Sequence, residues 1–101
     1  MITCCIRYRI DPFKMDEFEA YAKMWIPLVE KFGGQHHGYF MPHEGASDVA
    51  LALFSFESLA AYENYRAAAN NDFECQAAID FYRQTKCFIS YERSFMRPLF
   101  K

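Results

Sequence analysis

Apolar and polar residues alternate over residues 2–10. Ile2, Cys4, Ile6, Tyr8 and Ile10 fall on one side and Thr3, Cys5, Arg7 and Arg9 on the other. A period of two predicts a strand with one face turned to a core. Asp11-Pro12 stops the pattern, and Asp11 is expected to cap a helix carrying Pro12 in its first turn. From Met15 the spacing becomes helical: Met15, Phe18, Ala22, Trp25, Val29 and Phe32 follow one another at three or four residues and form one stripe. Pro27 falls inside this helix, so a kink or break is expected near Trp25–Ile26, and Gly33-Gly34 ends the element.

Residues 35–42 hold aromatics and methionine without helical spacing and read as a second strand, followed by a turn at His43-Glu44-Gly45-Ala46-Ser47. Residues 48–56 are almost continuously apolar, the pattern of a strand covered on both faces. Ser58 is expected to cap an alanine-rich helix running through Leu59, Tyr62, Arg66 and Ala69. Asp72 is expected to cap another, with the stripe Cys75, Ala78, Ile79 and Tyr82, ending near Lys86. Phe88–Phe95 is the last strand and Arg97-Pro98-Leu99 a tail.

The order β-α-β-β-α-(α)-β predicts an α+β, ferredoxin-like fold: a four-stranded antiparallel sheet with helices on one face and the first and third strands central. Helices on one face leave the other bare. The third strand nevertheless offers Val49, Leu51 and Leu53 on one side and Ala50, Ala52, Phe54 and Phe56 on the other. An uncovered apolar face marks an interaction surface. A second copy packed sheet to sheet would cover it, giving a homodimer with a closed interior, a dimeric α+β barrel.

Composition narrows the functional classes. A chain of 101 residues makes one domain, 1–101, and 19% aromatic residues exclude a mainly disordered one. Lys and Arg number 11 against 13 Asp and Glu, so there is no electrostatic footprint for nucleic acid. The longest apolar run, Val49–Phe54, falls far short of the ~20 residues that span a bilayer. The N-terminus lacks a basic segment followed by a long apolar one, so no secretory leader is expected and the mature chain is expected to start at residue 1. Cys4 and Cys5 are adjacent and point to opposite faces, and with Cys75 and Cys87 they show no zinc-ligand spacing. Reduced cysteines in a cytoplasmic protein, without metal or cofactor, are the expectation.

Several segments resemble one family. Arg7-Tyr8-Arg9-Ile10-Asp11-Pro12-Phe13-Lys14 followed by Phe18, and Gly38-Tyr39-Phe40 followed by Gly45, are similar to the first two strands of the NIPSNAP family, within the dimeric α+β barrel superfamily. Phe54-Ser55-Phe56, Ser58-Leu59-Ala60, Arg66-Ala67, Asp72 and Met96-Arg97-Pro98-Leu99 resemble its remaining elements in order. Phe54 or Phe56 stands where that family carries a third-strand tryptophan, and Phe73 lies near the place of a second. The resemblance implies the dimeric barrel and leaves the activity open. Related barrels include cofactor-free monooxygenases, small lactone isomerases and haem-handling proteins. Haem-degrading relatives pair an asparagine on the first strand with a histidine on a late helix, and this chain has neither.

Candidate chemistry is sparse. His36, His37 and His43 are the only histidines. Neighbours on a strand point oppositely, so at most one of His36 and His37 can face the barrel interior as a proton-transfer group. Ordinary surface histidines are the competing reading. Arg7 and Arg9, with Cys5, share the face away from the helices and would hold an acidic or phenolic ligand, or else pair with Glu92 on the last strand. Tyr62, Tyr65 and Arg66 offer further ligand contacts if they are not simply core, and Tyr65 is the one retained as a candidate. Trp25 reads as a core filler. The expected function is a homodimer binding a small apolar or aromatic/acidic molecule in the barrel interior. A cofactor-independent monooxygenase or isomerase, and a structural or protein-interaction module with a packed interior, are the alternatives.

Overall fold

The alternation of residues 2–10 becomes β1 (Ile2–Ile10), whose Cys4, Ile6, Tyr8 and Ile10 are buried in the computed structural model, which describes residues 1–100. β1 pairs antiparallel on one side with β3 (Val49–Phe56) and on the other with β4 (Phe88–Met96). β2 (Gln35–Phe40) pairs with β3, giving the order β2-β3-β1-β4 with the first and third strands central, as expected. Helices α1 (Met15–Lys31), α2 (Leu59–Ala69) and α3 (Phe73–Thr85) complete the ferredoxin-like β-α-β-β-α-α-β arrangement.

The core between the layers is aromatic. Phe18 of α1 is fully buried and meets Tyr8 edge to face at 5.1 Å. Tyr8 meets Phe88 in the same way at 5.0 Å, and Tyr65 stacks on Phe56 at 5.2 Å. Such pairs add stability beyond the area they bury. Two of the three predicted caps are present: Ser58 Oγ accepts from the Ala61 amide at 3.1 Å and Asp72 Oδ2 from the Cys75 amide at 3.0 Å. Lys31, at the end of α1, reaches Asp72 at 2.7 Å and Glu74 at 3.2 Å, tying α1 to the start of α3.

Three local expectations are corrected. Asp11 does not cap α1, which begins four residues later. Its carboxylate accepts from the Phe13 amide at 3.0 Å and its carbonyl from the Lys14 amide at 2.9 Å. The Asp11 amide is still bonded to the Cys87 carbonyl at 3.0 Å, so the chain needs this turn to climb from the sheet to the helix layer. Pro27 does not break α1. It sits on the exposed face, where water can satisfy the carbonyl it frees, while Ala22, Leu28 and Val29 hold the helix to the core. Glu92 lies opposite Arg7 in the β1–β4 register, yet no ion pair joins Glu92 to Arg7 or Arg9 among the described residues. Arg9 Nε instead donates to Asp48 Oδ2 at 3.2 Å, because Asp48 precedes Val49, the β3 partner of Arg9.

The sheet face away from the helices carries Val49, Leu51 and Leu53, half-buried, with the exposed Phe40 opposite Leu51. Met96, opposite Thr3, is exposed on the same face.

Candidate functional site

A cavity of about 170 Å³ lies between the sheet and the helices. Ile6, Tyr8, His36, Tyr39, Phe54 and Arg93 line it from the strands, and Trp25, Val29, Tyr62, Tyr65, Arg66, Ala69 and Ile79 from the helices. Arg66 and Asn70, both exposed, mark where it meets solvent. His36 and Arg93 belong to opposite edge strands, which lie three strand spacings or about 14 Å apart across the sheet, and stand two residues out of register.

His36 owes its placement to a bulge. The β2–β3 register slips between His36 and Gly38, and Gly38 takes a φ of +101°, a backbone region glycine occupies at little cost. The Gly38 amide donates to His36 Nδ1 at 2.9 Å, which leaves the ring proton on Nε2. The imidazole stacks on Tyr39 at 5.2 Å and Phe54 at 5.4 Å. Burial, reinforced by neighbouring His37, lowers its pKa to about 4, so at neutral pH it is an uncharged donor. His36 Nε2 is buried with no hydrogen-bond partner.

Tyr62 gathers charge at the β4 side of the cavity. Its hydroxyl oxygen accepts from Arg66 Nη1 at 2.8 Å and from Arg93 Nη1 at 2.6 Å. Arg93 also lies over the Tyr91 ring at 5.5 Å, and its Nε is buried without a partner. Among the described residues neither arginine has a carboxylate within ion-pair distance. Trp25 Nε1 is likewise buried with no well-formed hydrogen bond, although the Tyr21 hydroxyl lies near enough to feel it. Burial raises the pKa of Tyr8, Tyr39, Tyr62 and Tyr65, so these phenols stay protonated. Cys4 is pushed up to about 12 and Cys75 to about 11, mainly by burial, and neither is a thiolate near neutrality.

The residues singled out from sequence divide between the two faces of the sheet. His36 and Tyr65 line the cavity. Cys5, Arg7 and Arg9 are on the opposite face with His37, whose Nε2 is 2.8 Å from Ser55 Oγ, itself 2.8 Å from Thr3 Oγ1. Arg93 is the charged cavity residue that sequence reasoning missed. The signal was present: alternation along 88–95 puts Tyr91, Arg93 and Phe95 on the side opposite Glu92, an arginine set among aromatics.

This architecture recurs among solved structures. An Agrobacterium tumefaciens protein superposes with a TM-score of 0.85 at 19% identity, covering 98% of this chain and 94% of that one. A second protein of that organism, described as a NIPSNAP family protein, gives 0.82 at 24% identity with 97% and 92% covered. A candidate antibiotic biosynthesis monooxygenase from Nitrosomonas europaea gives 0.76 at 7% identity with 99% and 100% covered, a likeness of fold alone. No curated protein matches the chain by sequence. The NIPSNAP family model matches residues 4–100. With the motifs in order along the chain and the fold shared with structures of that name, the chain belongs to the NIPSNAP family.

Proposed function

We propose that the protein binds a small, flat, apolar or aromatic molecule bearing acceptor oxygens in the cavity between its helices and its sheet. One observation carries this: the buried, unpaired Nε2–H of His36 on the wall of an aromatic-lined cavity. A buried donor without a partner costs about 1–3 kcal/mol, and a ligand acceptor recovers it. A dry apolar cavity of about 150 Å³ holds benzene, so the space suits one ring with small substituents.

The working assembly in this reading is a homodimer through the bare sheet face, supported by the apolar residues Phe40, Val49, Leu51, Leu53 and Met96 there. Cys5, Arg7 and Arg9 then face the partner's sheet, where the arginines would hold an acidic group. The four free cysteines fit a reducing, cytoplasmic setting. Catalysis on the same ligand without a cofactor is the second reading, and His36 favours it. A neutral imidazole N–H aimed into a cavity stabilises oxygen charge developing on a carbonyl, in the manner of an oxyanion donor.

Trp25 is the one tryptophan and lines the cavity, so its fluorescence reports occupancy. Phenol and benzaldehyde are expected to change it saturably, and His36→Phe to weaken both. A flat response to every one-ring probe would remove the binding reading.

A further inference from the structure

Resting on that binding reading, we propose that the ligand is a singly charged aromatic acid whose carboxylate sits between Arg66 and Arg93 beside the Tyr62 hydroxyl. Two guanidinium groups approach one uncharged oxygen here, within a side chain's width of each other. Like charges so close repel, and proteins ordinarily place a carboxylate between them. None is present among the described residues. Glu63 is exposed on α2, and Glu92 points to the opposite face of the sheet. Arg93 moreover keeps a buried Nε–H with no acceptor.

The arrangement is built rather than accidental. Arg93 reaches inward from β4 opposite Ile6, held over the Tyr91 ring, and Arg66 reaches in from α2 one turn beyond Tyr62. Each guanidinium spends one N–H on Tyr62 and retains others for a planar, two-oxygen acceptor. The tyrosine hydroxyl accepts both and has its own proton to donate. Opposite this cationic end stands the uncharged donor His36, with the aromatic walls of Tyr65, Phe54 and Tyr8 between. A carboxylate on a single ring suits the cationic end and the volume.

Benzoate and benzamide separate the inference from its foundation, because they share shape and differ in charge. With Trp25 fluorescence as readout, the parent should bind benzoate about tenfold or more tightly than benzamide, as charge-assisted hydrogen bonds require. Arg93→Gln should erase that preference while benzamide binding persists. Arg66→Gln, at an exposed position, should reduce it, with the fold checked by circular dichroism. Equal affinity of the parent for benzoate and benzamide would overturn the acid assignment and leave the cavity as a binding site for neutral rings. Binding of neither, nor of phenol, would overturn both.

Discussion

At the residue scale, His36 makes the protein sensitive to pH. Its folded pKa of about 4 lies below the ordinary 6.5, so as pH falls through 6.5 the unfolded chain takes up a proton that the folded one refuses. Stability is therefore full above pH 6.5 and declines on the way down to about 4. Allowing for the partial exposure of the ring, thermal melts should show a loss of about 1–2 kcal/mol between pH 7 and pH 5. His36→Phe, which keeps the stack on Tyr39 and Phe54, should melt alike at both values. Asp72, held below its usual 3.8 by the Lys31 bond, acts only at lower pH and does not confuse the test. Gly34 is a second sensitive position, for space rather than charge. A Cβ there would stand 2.7 Å from Phe56 Cζ and 2.7 Å from Val29 Cγ1, so Gly34→Ala should cost about 1–3 kcal/mol in urea unfolding.

At the element scale, the helices and strands follow from local pattern, and the departures come from what each segment packs against. Pro27 is the clear case: its sequence neighbourhood predicts a break, and burial of Ala22, Leu28 and Val29 overrides it. Because the proline is exposed and contributes no backbone donor, Pro27→Ala should lengthen the hydrogen-bonded ladder of α1 and raise stability by about 1–2 kcal/mol. This is less than the full helix-interior penalty, since proline also stiffens the unfolded chain. An unchanged or lower melting temperature would show that the proline carries no net cost at this position. The β2 bulge lies at the other extreme. Residues 35–42 carry no periodicity that announces it, yet the bulge turns His36 toward the helices and His37 toward the bare face.

At the scale of the whole molecule, the proposed dimer rests on the bare sheet face. A stable dimer buries about 800 Å² per partner. Light scattering after size exclusion at low micromolar concentration should give twice the 11.9 kDa chain mass. Leu53→Glu, opposite Cys5 at the centre of the face, should give a single-chain mass with the fold retained by circular dichroism. A parent mass of one chain would refute the sheet-to-sheet dimer.

Alternation, helical spacing and capping residues determined by themselves the element order and the side of β1 that meets the core, because each depends on residues a few positions apart. The family's motifs were legible for the same reason. The central position of β1 and β3 followed only by matching that order to a ferredoxin-like layout. What only the tertiary structure decided was which side of the sheet holds an open space and which donors it leaves unpaired. His36 meets Phe54 through strand pairing, and Arg93 meets Tyr62 and Arg66 across 31 and 27 residues of chain. No local pattern encodes that convergence. A cavity is the volume that packing fails to fill, and it exists only once every element has taken its place.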